Sequence, residues 1–316
     1  MLRYVAGRVG LIIITLILVI TINFFMLRLD GGSPFDDPKI SRAQKTLMME
    51  KYGLNDPMTV QFIRYVKNLL KGDFGVSLRF QNQDVLNMIM DKLPHTTKIG
   101  LPALVIGLLF GIILGSLAAI YRGTWVDHMT TVFAIIFVTV PSFVLAALMQ
   151  YYFSAKLGWF PYLYNISAQA TLFQKLSSMV LPVLAISLSI IASVMRLMRS
   201  ELVEVLNSDY ILLARAKGLN KPRVIKRHAI RNALIPVMTI VGPMTLSVIY
   251  GSLIVERFFG VPGLSNLMVQ ALSTHDYFLT LGINTIYTFM YTVVVLATDL
   301  LYGVIDPRIR ISGGDR

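Results

Sequence analysis

Six stretches of the chain carry no Asp, Glu, Lys or Arg: 9–27, 99–121, 129–155, 176–195, 232–255 and 277–298. Each matches the roughly 20 residues of helix that cross a hydrocarbon core. A transmembrane β-barrel would instead show alternating segments of about ten residues. The pattern therefore predicts an all-α, polytopic membrane protein with six transmembrane helices. A soluble bundle of six buried helices is a poorer fit, because soluble domains of this length are much more polar.

The segments between the runs are also patterned. In the first, Ser41 can N-cap a helix running to Tyr52, with Gly53 at its C′ position. Asn55 or Asp56 can cap a second helix, with Pro57 in its first turn and Gly72 just past its end. Inside that helix Val60, Ile63, Val66 and Leu70 recur at helical spacing. A third, weaker helix is predicted over 84–92. The chain thus divides into a first span (1–29), a segment of short helices (30–98), a core of five spans (99–305) that includes a polar hairpin at 199–232, and a tail (306–316).

Within the runs, Gly107, Gly111 and Gly115 form a GxxxGxxxG row. Small residues let helix backbones approach closely in lipid, inside the protein or with a partner. Pro141 interrupts the third run, Pro182 opens the fourth, and Pro236 and Pro243 lie in the fifth. Proline can bend a helix and free a carbonyl, and membrane helices also simply tolerate it. Intramembrane polar residues are sparse: Asn23, Gln150, Asn284 and the serines Ser187, Ser189 and Ser193. Asp299, near the end of the last run, is expected to pair locally with a basic residue. A proton-coupled carrier would need a chain of buried carboxylates, which is missing.

The formal net charge of +12 raises the question of nucleic acid. Topology accounts for most of it. With the N-terminus inside, six spans place both termini inside. Eleven of the outward basic residues then lie in the long segment 28–98, which the positive-inside rule largely ignores. The short loop 196–231 holds nine basic residues against three acidic ones, as an inner loop should. Nucleic acid is therefore not an expected partner. The chain has no cysteine, so disulfides and thiolate metal sites are excluded. The first run follows Arg3 and Arg8 but is long for a signal peptide and lacks an Ala-x-Ala site, so it reads as a retained span. No P-loop, H-E-x-x-H or Gly-x-Ser-x-Gly occurs, and His95, His128, His228 and His275 are scattered. No metal site, catalytic residue or cofactor of the chain's own is expected.

The most informative stretch is 208–236. Ser208 is a suitable N-cap and Asp209 complements the helix dipole. The helix reads Tyr210-Ile-Leu-Leu-Ala-Arg-Ala-Lys217, and Gly218 supplies the left-handed residue that ends it. Asn220 caps the next helix, with Pro222 in its first turn. Ala214 and Ala216 keep one surface of the first helix small, flanked by Arg215 and Lys217. Such a surface can seat in a groove of another protein; an ordinary inner loop or a site for anionic lipid heads would share its charge.

Ala214-Arg-Ala-Lys-Gly218, followed by His228-Ala-Ile-Arg-Asn-Ala-Leu-Ile-Pro236, resembles the cytoplasmic signature of binding-protein-dependent ABC transporter permeases. Within them it is similar to the oligopeptide/dipeptide/nickel branch. Ala-Arg-Ala stands where the short signature has Glu-Ala-Ala, and the Gly218–Pro236 gap is longer. Met1-Leu-Arg-Tyr-Val-Ala-Gly-Arg8, Lys51-Tyr-Gly-Leu-Asn-Asp-Pro57, Gly72-Asp-Phe-Gly-Val-Ser77, Pro141-Ser-Phe143, Val255-Glu-Arg-Phe-Phe-Gly-Val-Pro-Gly-Leu264 and Asp299-Leu-Leu-Tyr-Gly-Val-Ile-Asp-Pro-Arg308 resemble the B-type subunit in order.

The resemblance implies a permease subunit of an ATP-driven importer, with peptides as substrate and nickel or a metal chelate as the alternative. It implies a second, similar permease, two ATP-binding subunits that carry ATP and Mg, and an extracytoplasmic binding protein. Asp209, Tyr210, Ala214, Arg215, Ala216, Lys217 and Gly218 would couple to an ATPase, supported by His228, Arg231, Asn232 and Pro236. The membrane would be a bacterial or archaeal inner membrane, with both termini cytoplasmic. A stand-alone channel or carrier would need its own gate or ion-coupling residues, and a membrane enzyme would need a reactive cluster. The topology is testable by cysteine substitution and labelling: Lys45 and Lys221 are expected on opposite sides of the membrane, and same-side labelling would overturn the arrangement.

Overall fold

The computed structural model describes residues 2–29, 32–36, 41–80 and 83–305. The side chain of Asp299, and with it the ion pair expected there, lies outside the described residues, as does the tail 306–316. The helices are α1 (Leu2–Leu29), α2 (Arg42–Lys51), α3 (Met58–Leu69), α4 (Val85–Ile120), α5 (Trp125–Thr139), α6 (Ser142–Met149), α7 (Leu172–Leu206), α8 (Asp209–Ala216), α9 (Lys221–Val224), α10 (Ile230–Thr239), α11 (Val241–Phe258), α12 (Leu264–Ser273) and α13 (Tyr277–Ile305). π-Helical turns follow α6 (Gln150–Lys156) and α9 (Ile225–Ala229). The described residues contain one isolated β-bridge, Val76 with Asp84, and no strand.

Among the described residues four helices are long and apolar enough to cross a membrane: Gly7–Leu29, Val85–Ile120, Leu172–Leu206 and Tyr277–Thr298. The pair Trp125–Thr139 and Ser142–Lys156 is apolar enough to add a fifth, but it is bent by 100°, the geometry of a broken span or of a re-entrant loop. The bend sits where Pro141 has no N–H to donate and disfavours helical backbone at the residue before it. The predicted fifth run, 232–255, is not one helix. Ile240 separates α10 from α11, and Pro243 falls in the first turn of α11, where its missing N–H is harmless. The count of six requires α10 and α11 to form one broken crossing.

Other expectations shift for local reasons. The weak helix over 84–92 is the first part of α4, which runs on without a break. Pro57 is itself the N-cap of α3, and neither Asn55 nor Asp56 caps it. Pro182 lies well inside α7, because Thr171 and Gln174 form a capping box that starts that helix at Leu172. The Ser41 cap of α2 has the same two-way pairing with Gln44. Ser187 and Ser193 donate to carbonyls of their own helix, Leu184 (3.2 Å) and Ser189 (2.9 Å), so these two hydroxyls are satisfied locally.

The chain forms two compact units. One draws on residues 1–95 and 262–292. In it Phe24, Tyr65 and Leu281 are buried together, with Phe25, Phe62, Leu69 and Phe278 packed around them. Phe24 meets the ring of Phe62 edge-on at 5.3 Å. Asp276 is fully buried ahead of α13. Its carboxylate accepts from the Ser77 hydroxyl (2.5 Å) and the Arg79 and Leu279 amides (3.3 Å each). It thereby ties the 72–79 segment to the start of a span. Asn284 donates to Asn23 at 3.2 Å, a polar contact between two apolar helices.

The other unit draws on 96–261 and 293–316. Its centre is α7. A Cβ at Gly107 would lie 2.4 Å from Ile190 Cγ2, one at Gly111 2.6 Å from Val194 Cβ, and one at Gly115 2.5 Å from the Met195 carbonyl oxygen. The glycine row therefore serves an internal helix pair, α4 on α7. Ala134 of α5 packs with Ala192 and Met195. Buried Asp127 holds Arg199 through two hydrogen bonds, 2.5 and 2.8 Å, and accepts from the Gly123 amide at 2.9 Å. Gln150 donates to the carbonyls of Tyr162 and Phe258, both at 2.9 Å, closing the loop after α6 onto the end of α11.

Gly111→Leu or Gly115→Leu should cost about 1–3 kcal/mol or prevent folding, because backbone and branched side chains cannot retreat. Gly10→Leu, with nothing within 4 Å, should be tolerated; thermal unfolding in detergent reads both. Asp127→Ala should cost about 1.5–3 kcal/mol, as for hydrogen bonds to charged groups. Adding Arg199→Ala should cost little more, a non-additivity that a double-mutant cycle measures.

Candidate functional site

The polar hairpin folds as two helices back to back. Ser208 has N-cap backbone geometry, but its side chain does not cap α8; the hydroxyl donates to the Val205 carbonyl at 2.6 Å. Asp209 sits exposed in the first turn. At the other end Lys217 is the C-cap and Gly218 takes φ +79°, with its amide donating to Arg215 at 2.9 Å. Asn220 accepts from the Arg223 amide at 3.2 Å, so it caps α9 as expected. The π turn after α9 accommodates one extra residue per turn. It leaves Val224, Ala229, Ala233 and Val237 buried and Lys226, Arg227, Arg231 and Asn232 exposed.

The face of α8 differs from the expected one. Ile211 is fully buried and Ala214 is only 9% exposed; both join the main core with Met198, Leu202 and Val224. Ala214 is therefore small because α8 lies against its own unit, and it is no part of an outward surface. The outward face carries Leu212, 66% exposed, and Leu213, 56% exposed, with Tyr210, Arg215, Ala216 and Lys217 around them. Sequence reasoning passed over these two leucines. Helical spacing was the available signal: once Ile211 and Ala214 face inward, Leu212 and Leu213 must face out.

The two arms are joined. Asn232 of α10 donates to the Tyr210 hydroxyl at 2.9 Å. His228 is half-buried on the π turn, and Pro236 is half-buried inside α10. Of the predicted residues, Asp209, Tyr210, Arg215, Ala216 and Lys217 thus share an exposed patch, Gly218 ends it, Arg231 and Asn232 lie exposed on the adjoining arm, and Ala214 anchors the patch from behind. The patch offers apolar contact ringed by positive charge. It has the chemistry of a docking surface.

The family profile of the binding-protein-dependent transport system inner membrane component matches residues 111–311. The dipeptide transport system permease protein DppB of Lactococcus lactis is 36% identical over 311 residues, covering 98% of this chain and 100% of that one. The oligopeptide transport system permease protein OppB of Salmonella typhimurium is 37% identical over 312 residues, with 98% and 100% coverage. DppB of Bacillus subtilis is 33% identical over 312 residues, with 98% and 99% coverage. Among solved structures, the inward-facing MetNI methionine ABC transporter matches with a TM-score of 0.54 at 13% identity, over 69% of this chain and 96% of that one. That likeness concerns the fold alone. A profile that spans more than half of the sequence, joined to relatives above 30% identity that run its length, places the chain in the family of binding-protein-dependent transport system inner membrane components.

Proposed function

We propose that this chain is the B-type permease subunit of an ATP-driven importer of short peptides, with α8 as the helix that receives force from an ATPase. The observation that carries the coupling role is the division of α8 into two faces. Ile211 and Ala214 fix it to the core, while Leu212 and Leu213 stay exposed on a short, positively ringed helix. Exposed apolar groups of this kind are the centre of protein interfaces, and a polar rim excludes water around them. The peptide substrate is supported by the relatives, which are dipeptide and oligopeptide permeases along their whole length.

In this reading the chain pairs with a second, homologous permease in a bacterial or archaeal inner membrane, with both termini cytoplasmic. Two ATPase subunits bind ATP and Mg and dock on the inner face; a binding protein delivers peptide on the outer face. The permease itself catalyses nothing. ATP binding moves the docked helix. Motion passes to the spans because α8 shares one packed core with α7 and α10. Access then switches as a population shift between two arrangements.

Leu212→Glu with Leu213→Glu should leave insertion and thermal stability intact and abolish ATPase association. Uptake and substrate-stimulated ATP hydrolysis in reconstituted vesicles should fall with it. Wild-type uptake in the assembled double variant would reduce the hairpin to an ordinary inner loop. Gly218→Val should lose transport for a different reason: an L-residue in the left-handed region costs about 1–2 kcal/mol and unwinds the cap. Ala214→Trp should lower the chain's own unfolding temperature before any partner is added, since Ala214 is buried.

A further inference from the structure

The unit built from residues 1–95 and 262–292 contains a cavity of about 330 Å³, at the small end of the roughly 300–1,000 Å³ range of ligand pockets. Two residues that line it, Arg28 and Gln61, each keep one buried polar atom without a hydrogen-bond partner among the described residues. The first is Arg28. Its guanidinium lies 4.2 Å from the centre of the Tyr277 ring and 5.4 Å from that of Phe24. Stacking on aromatic faces leaves the planar edge available, and that edge matches a carboxylate bidentately. The Nε of Arg28 is buried without an acceptor, and no acidic group among the described residues pairs with the side chain. The second is Gln61, 9% exposed. Its amide nitrogen donates to the carbonyls of Leu54 (3.0 Å) and Asp56 (2.8 Å). Those two acceptors fix which end of the amide is oxygen. Its Oε1 is buried and accepts nothing. Each such group carries a desolvation penalty that a complementary ligand would remove.

We propose that this cavity binds an α-carboxylate together with its neighbouring N–H: the carboxylate on Arg28 and the N–H on Gln61 Oε1. A free amino acid and the C-terminal residue of a peptide both present that pair. The other cations suit the assignment without being central to it. Arg64 lines the cavity but is paired with Asp56, and Lys51 lies over the Tyr52 ring at 5.5 Å. Phe24, Tyr65 and Phe278 supply the apolar wall for a small side chain. The site is assigned from its own groups. Only its peptide source rests on the transport reading above, so a failure of transport leaves the binding result intact.

The test is calorimetry on the full chain in phosphatidylcholine nanodiscs with five probes: alanine, N-acetylalanine, Ala-Ala, Ala-Ala amide and inorganic phosphate. The three carboxylate probes are expected to bind, Ala-Ala amide at least about tenfold more weakly, which is a loss of one charge-assisted contact. Phosphate should bind more weakly than Ala-Ala, because it brings no N–H. Arg28→Gln should weaken Ala-Ala by at least about tenfold, with Arg28→Lys intermediate, since ammonium keeps the charge and loses the fork. Equal binding of alanine and Ala-Ala would make the free amino acid sufficient; a preference for Ala-Ala would assign the peptide terminus. Either supports the site. Equal binding of the acid and the amide, phosphate binding as tight as Ala-Ala, or an Arg28→Gln chain that binds normally would overturn it. If Arg28→Gln does not fold, the acid–amide comparison on the unaltered chain decides alone.

Discussion

The contact of α4 with α7 is the constraint on which the larger unit depends. Lipid gives helices no hydrophobic reason to associate, so close van der Waals approach must do it. Three glycines spaced by four bring the α4 backbone against Ile190, Val194 and Met195. With that pair set, the remaining faces of α7 are free to hold α5, α6, α10 and α11. The same helix runs past the apolar zone to Arg199, Leu202 and Leu206, so one rigid rod carries packing from the spans to the polar hairpin.

Each unit also contains a few polar contacts set in apolar surroundings. Asn23 with Asn284, Gln150 with two carbonyls, Asp127 with Arg199 and Asp276 with Ser77 each satisfy buried groups at a fixed place. A hydrocarbon contact can slide by a turn at little cost; a buried carboxylate with three donors cannot. These contacts fix register where packing alone would leave it loose.

Much of this was legible in the residues. Four of the six uncharged runs announced single membrane-length helices, Pro141 the bend, Gly218 and Asn220 the corner of the hairpin, and Ser41 the start of α2. What was not legible followed from tertiary context. Ser208 has an N-cap's composition, but its hydroxyl is turned toward the Val205 carbonyl, to which it donates, and does not cap α8. Ala214 looked like part of an outward surface because composition cannot say which side of an eight-residue helix meets the core. The helix expected over 84–92 and the run that starts at 99 are one helix, α4, because a helix only needs its backbone paired and tolerates polar side chains outside lipid. The stacking of Arg28 on Tyr277 could not have been read at all, since the two lie far apart along the chain.

Gly218 leads to a point about handedness. No atom lies within 4 Å of where its Cβ would sit, so the position is not short of room. Its backbone, at φ +79°, is simply the mirror image of what L-residues prefer. A D-alanine placed there by chemical ligation would fit the turn that an L-alanine strains. Ribosomal synthesis offers no such residue, and glycine is the achiral one it does offer. At this corner glycine is therefore required by stereochemistry and not by lack of room.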